Sequence, residues 1–162
     1  MLSLIPSVLG GLRVEDLEKI KVIIRQTYPR VSQLGIETLV EWMQTPARLL
    51  LVDVRSCEEF DVSHLHGAIN LKSPGEIAAA GRARDASRIV LYCSVGFRSS
   101  RVAHFLSKQD VAGAQVVNLE GSIFQWANEG HPVYQGETRV GKVHPCGKRW
   151  AGLLKPGLAG VC

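Results

Sequence analysis

Three short apolar runs constrain this chain more than anything else in it. Leu49-Leu50-Leu51-Val52, Ile89-Val90-Leu91-Tyr92 and Gln115-Val116-Val117-Asn118-Leu119 are largely continuous in hydrophobicity rather than alternating. A strand with one wet face alternates polar and apolar residues, so a continuous run needs cover on both faces, as in a parallel sheet. Helical patterns fall around these runs, at Gly35–Gln44, Pro74–Arg84, Arg98–Gln109 and Ile123–Glu129. In Arg98–Gln109 the helical period is marked by Val102, Phe105, Leu106 and Gln109, the first three supplying the apolar face. Strands alternating with helices imply right-handed crossovers and therefore an α/β fold, a parallel sheet with helices on both faces. Functional loops in such sheets gather beyond the carboxyl ends of the strands. Asp53-Val54-Arg55 and Cys93–Arg98 both lie at such ends.

The second of these loops carries the most chemistry. Cysteine reacts as the thiolate, which is favoured at a helix N-terminus or beside a cation. Ser94, Val95, Gly96, Phe97 and Arg98 follow Cys93 without a proline. Each backbone N–H is thus free to curl around an anionic sulfur, backed by the dipole of a helix expected to begin near Arg98. Gly96 permits the tight turn this needs, and Arg98 adds a planar, permanent charge suited to oxyanions. A persulfide on the same sulfur is also anionic and would use the same donors. The spacing leaves a second reading open, in which Cys93 is a small buried hydrophobe ending a core strand.

Composition narrows the setting. The chain has 162 residues, 46% of them hydrophobic and 21% charged, which suits one globular domain with additional segments. A formal charge of +4 is spread along the sequence with no dense basic stripe, so small anionic substrates are expected rather than nucleic acid. Cys57, Cys93, Cys146 and Cys162 lack zinc-site spacing and are too scattered for a disulfide scaffold, which favours a reduced, cytoplasmic location. Met1–Gly11 is apolar but has no basic leader or small-residue cleavage pattern, and no run is long enough to span a bilayer.

Several motifs then agree on one family. Leu51-Val52-Asp53-Val54-Arg55 with Glu58-Glu59-Phe60, then His64-Leu65-His66-Gly67-Ala68-Ile69-Asn70-Leu71, resemble the first two signatures of a single-domain rhodanese. Tyr92–Ser99 is similar to its active-site loop. Val117-Asn118-Leu119-Glu120-Gly121, with Trp126, Gly130 and Pro132, resembles the closing signature, so the likeness runs from about Val31 to Val133. The resemblance implies a three-layer rhodanese-like fold with a five-stranded parallel sheet. It also implies a sulfurtransferase in which Cys93 is the nucleophile and the amides of Ser94 to Arg98 form its cradle. Sulfur would pass from thiosulfate or a persulfide donor to cyanide, a thiol or a partner protein, with no metal or organic cofactor. Asp53 and Arg55 match a pair in the first signature; Asp53 reads as structural, and Arg55 as either an electrostatic helper or half of a loop-capping ion pair. Cys93 to Arg98 spans six residues, similar to the sulfurtransferases, whereas related phosphatases and arsenate reductases have a loop one residue longer. The alternative function is a non-catalytic sulfur-relay or protein-binding module. Ser122 stands where a second glycine is common, and serine there is expected to cap the helix that follows.

Outside the resemblance, the chain divides into an N-terminal helical extension (1–30), the rhodanese domain (31–135) and a basic Gly/Pro-containing tail (136–162). Val14–Tyr28 has Val14, Leu17, Ile20 and Ile24 on one face and reads as a helix packing across the domain; Val31–Leu34 reads as an edge strand. His64 and His66 are too few for a metal site and read as loop-shaping residues. His144 and Cys146 fall in a segment that reads as flexible surface, although Cys146 or Cys162 could resolve a Cys93 persulfide if the tail folded back. Cys57 reads as passive.

Overall fold

The computed structural model describes residues 11–45, 48–109, 111 and 113–161. Cys162 lies outside the described residues, as does any role for it. Five parallel strands form the main sheet: β1 (Gln33–Leu34), β2 (Leu49–Asp53), β3 (Ile69–Asn70), β4 (Arg88–Tyr92) and β5 (Gln115–Leu119), in the order β1-β5-β4-β2-β3. The three apolar runs are its three central strands. Register pairs Asp53 with Tyr92 and Leu91 with Asn118, so the chain leaves β2, β4 and β5 at one edge.

Period-two alternation sends the runs to two different cores. Leu51, Val90, Tyr92, Val117 and Leu119 pack on one side with Leu17, Ile20 and Ile24 of α1 (Asp16–Thr27), Leu39 of α2 (Ile36–Gln44), and Ile123 and Phe124. Leu50, Val52, Ile89, Leu91 and Cys93 face the other way, against Ile77, Ala83, Ala103 and Leu106. Beyond β2, α3 (Cys57–Val62) is opened by a capping box in which Ser56 and Glu59 exchange hydrogen bonds.

Two helices differ from expectation. The Pro74–Arg84 pattern is broken into α4 (Pro74–Ala79) and α5 (Gly81–Asp85), because Ala80 adopts an extended ψ of 127° just before Gly81. Helix α6 (Phe97–Leu106) starts one residue early and is rotated: Ser99, Ser100, Ala103 and Leu106 are buried, while Phe105 is 45% exposed. Its small polar residues face inward with their hydroxyls bonded, Ser99 donating to Asn118 Oδ1 beside the site and Ser100 accepting from Gln33 Nε2.

The tail wraps the domain as an extension of it, and the stretch holding His144 and Cys146 is not the flexible surface segment expected there. After α7 (Ser122–Asn128), β6 (Val133–Gln135) and β7 (Thr138–Val140) form an antiparallel hairpin, and a short 3-10 helix covers Ala151–Leu153. Val143, Leu153 and Leu154 are buried in the same core cluster as Leu12 and α1. Asn128 ties the tail to α7, donating to the Leu153 carbonyl at 2.8 Å and accepting from the Lys155 N–H at 2.8 Å. At Gly152 the two end segments meet so closely that a Cβ there would stand 1.8 Å from the Leu12 carbonyl oxygen. No described helix is long and apolar enough to cross a membrane.

Candidate active site

Cys93 is the first residue after β4 and is 1% exposed. Its sulfur accepts from the Gly96 N–H at 3.1 Å and lies 3.3 Å from the Ser99 hydroxyl oxygen. The loop is shaped from outside by α7, whose first amides would otherwise lack partners. Ile123 N–H donates to the Cys93 carbonyl at 3.2 Å and Phe124 N–H to the Ser94 carbonyl at 3.0 Å. In a trans peptide the N–H points opposite to the carbonyl, so pulling these two oxygens toward α7 turns the Ser94 and Val95 amides to the other side of the loop. Gly96 has φ 107°, and a Cβ there would stand 3.2 Å from Asn118 Nδ2. Glycine is therefore needed both for the turn and for the fit.

Ser122 corrects the expectation made for it. Gly121 is the capping position of α7, and Ser122 is its first helical residue, at φ 49°. The left-handed conformation costs a non-glycine residue about 1 kcal/mol. In return its hydroxyl accepts the Cys93 N–H at 3.2 Å and donates to the Leu119 carbonyl at 2.9 Å. Behind Ser99, Asn118 Oδ1 lies 2.5 Å from the Ser99 hydroxyl, and Asn118 Nδ2 donates to Gln33 at 2.7 Å. The sulfur thus rests on polar groups from β5 and α7 that the motif alone did not mark.

Arg98 opens onto the pocket and is held by Glu59. Its two terminal nitrogens donate to the two carboxylate oxygens at 2.9 and 2.8 Å, a bidentate pair, and Nη2 also donates to Ser94 Oγ at 3.0 Å. Burial pushes the Glu59 carboxyl up, but Arg98 and the Ser56 N–H outweigh it and hold the carboxyl at about 2, against an ordinary 4.5. A carboxyl lowered on folding stabilises the fold fully above its unfolded value and loses that contribution as pH falls through the folded one. Replacing Glu59 with glutamine is expected to lower stability at neutral pH by about 2 kcal/mol, after allowance for solvent around Arg98. It should also flatten the loss of stability between about pH 4.5 and 2. Urea titrations stepped through that window check both effects.

The pocket over the sulfur holds about 190 Å³ and is lined by Cys93, Ser94, Val95, Phe97, Arg98, Cys146 and Trp150. The tail therefore supplies one wall, with Cys146 Sγ 3.6 Å from Arg98 Nη2. Asp53 and Arg55 do not line this pocket. Both are fully buried, Arg55 donating to Asp53 at 2.7 Å and to the Ser63 carbonyl at 2.6 Å. Their pairing ties the end of β2 to the loop after α3. His64 is buried and stacked on Phe60, and His66 pairs with Glu137 on the surface. Cys57 is exposed, 3.1 Å from Lys72 Nζ. Among the described residues no cluster of His, Cys, Asp or Glu is arranged to hold a metal ion.

Comparison with known proteins agrees with this architecture. The profile of the rhodanese-like domain matches residues 36–129. The chain belongs to the rhodanese-like family. It is 34% identical over 106 residues to the probable adenylyltransferase/sulfurtransferase MoeZ of Mycobacterium tuberculosis, a match covering 62% of this chain and 26% of that protein. The chain thus spans about a quarter of MoeZ. It is 29% identical over 110 residues to a sulfurtransferase of Allochromatium vinosum, covering 66% of this chain and 98% of the relative. The crystal structure of a rhodanese-related protein from Thermoplasma volcanium superposes with a TM-score of 0.52 at 26% identity, covering 64% of this chain and 98% of that one.

Glu59, Ser99, Asn118, Ser122 and Trp150 are the site residues that sequence reasoning missed. Glu59 had a local signal, the capping box it forms with Ser56. The others are brought in by the sheet register and by the path of the tail.

Proposed function

We propose that the protein is a sulfurtransferase that carries sulfane sulfur as a persulfide on Cys93. The observation that carries this reading is a buried sulfur at a strand end, accepting from the Gly96 N–H and flanked by the Ser99 hydroxyl, beneath a small pocket with Arg98 at its side. Such donors favour an anion at that point whether it is a thiolate or a persulfide. In the first half-reaction the Cys93 thiolate attacks the outer sulfur of thiosulfate or of a persulfide donor. The sulfur–sulfur bond breaks, and sulfite or a thiolate leaves with the bonding pair. In the second, an acceptor such as cyanide or a thiol attacks the outer sulfur and Cys93 leaves as thiolate, a two-step exchange. Arg98 attracts the anionic donor, and the pocket's size suits one sulfur atom and its leaving group. A reducing, cytoplasmic setting belongs to the same reading, supported by Cys57, Cys93 and Cys146 all being free.

Mass spectrometry of the thiosulfate-treated protein tests this. One extra sulfur is expected on the Cys93 peptide, removed by cyanide with formation of thiocyanate. Failure of every small sulfane donor to load Cys93 would sink the reading.

A further inference from the structure

Cys146 is a second sulfur in the same pocket, and nothing in the two-step scheme uses it. It reaches the pocket because the tail is pinned on either side. Val143 donates to the Leu158 carbonyl and Gly160 to the Val143 carbonyl, both at 2.8 Å, while Asn128 fixes Leu153 and Lys155. Between these anchors Cys146 takes a left-handed φ of 60°, and its N–H donates to His144 Nδ1 at 3.0 Å. The side chain is thereby brought to Arg98 while remaining partly exposed. Arg98 faces both sulfurs: it lines the pocket beside Cys93 and lies 3.6 Å from Cys146.

The two sulfurs are unequal in access. Cys93 is 1% exposed and walled in by Gly96 and Ser99, whereas Cys146 is only partly buried. A sulfur added to Cys93 has the pocket as its free space, and Cys146 lines that same pocket. An attacking group arriving through the pocket meets the outer sulfur first, because the inner one is screened by the loop. Burial pushes the Cys146 thiol up while Arg98 pulls it down, the burial prevailing.

Resting on the sulfurtransferase reading above, we propose that Cys146 is a relay residue that takes the sulfane sulfur from Cys93 and presents it to acceptors too large for the pocket. The Cys146 sulfur bonds to the outer sulfur of the Cys93 persulfide as the sulfur–sulfur bond to Cys93 breaks. Cys93 leaves with the electron pair as thiolate, back into its cradle, and the Cys146 proton ends on the transferred sulfur. Atoms and charge balance, and no oxidant or reductant is consumed. The alternative, attack on the inner sulfur with a Cys93–Cys146 disulfide formed and sulfide expelled, requires the walled-in atom.

Thiosulfate loading of wild type, Cys146→Ser and Cys93→Ser, followed by alkylation and peptide mapping, tests the relay. Extra sulfur is expected on both cysteine peptides in wild type, on Cys93 alone in Cys146→Ser, and on neither in Cys93→Ser. Transfer to glutathione, a thiol larger than the pocket, should fall on the order of tenfold in Cys146→Ser through loss of the positioned inner acceptor. Wild type with extra sulfur on Cys93 only, a Cys93–Cys146 disulfide on loading, direct loading of Cys146 in Cys93→Ser, or unchanged transfer to glutathione in Cys146→Ser would each overturn the relay. Absence of sulfur on Cys93 in both wild type and Cys146→Ser overturns the underlying sulfurtransferase reading itself.

Discussion

Cys93→Ser is expected to abolish thiocyanate formation from thiosulfate and cyanide, a loss of at least about 10⁴-fold as for removal of other covalent nucleophiles. The reason is chemical rather than steric. A serine hydroxyl is nearly the size of the thiol and can take the hydrogen bond that Gly96 now makes to the sulfur. It stays protonated at neutral pH, however, and cannot accept and release sulfane sulfur. The variant should therefore melt close to wild type, since the core around β4 is unchanged, and this separates lost chemistry from lost fold. Thiocyanate production at the wild-type rate in a well-folded Cys93→Ser protein would rule out Cys93 as the carrier.

The largest effect on stability is expected from Asp53→Ala. Asp53 and Arg55 are both 0% exposed, and among the described residues Asp53 is the one carboxylate hydrogen-bonded to the Arg55 guanidinium. Burial works against the Arg55 charge, and Asp53 more than offsets it, so the guanidinium stays charged. Removing the carboxylate leaves a buried cation with the Ser63 carbonyl, the face of Tyr92 and the more distant Glu59 charge around it, and among the described residues Arg55 Nη1 already has no partner. Breaking a buried pair from one side costs about 3–5 kcal/mol, a large part of a domain's stability. The double replacement Asp53→Leu with Arg55→Met removes both charges and should recover most of that loss. Urea unfolding at neutral pH measures both. A loss below about 1 kcal/mol for Asp53→Ala would show that the pair is not what holds the end of β2.

How much of this was legible in the sequence differs from residue to residue. The three central strands were readable because burial on both faces leaves no room for alternation, so Leu49–Val52 and Ile89–Tyr92 are apolar at successive positions. Cys93 and Gly96 were readable because a thiol after a strand followed by a glycine is a local pattern. Phe105 misled, since periodicity marks apolar residues and cannot register that Ser99 and Ser100 occupy the buried face for their hydroxyls. Ser122 misled for a related reason: a serine before a helix suggests a cap, and nothing local reveals that Gly121 already holds that place. Glu59 and Arg98 meet across 39 residues of sequence, and Cys146 and Arg98 across 48. Those meetings depend on the whole sheet and on a tail path set by backbone hydrogen bonds together with a few scattered apolar anchors, Val143, Leu153 and Leu154, that form no periodic pattern.

The docking of Leu12 against Gly152 has a consequence for how the protein comes into being. A chain is made from its amino end, and its segments begin to fold in that order. The strands, the Cys93 loop and α7 all precede Cys146 and Trp150 in the chain, so the wall that these two give the pocket leaves the ribosome after the rest of the site. Leu12, among the first described residues, likewise lacks the contact it makes at Gly152 until that segment has emerged.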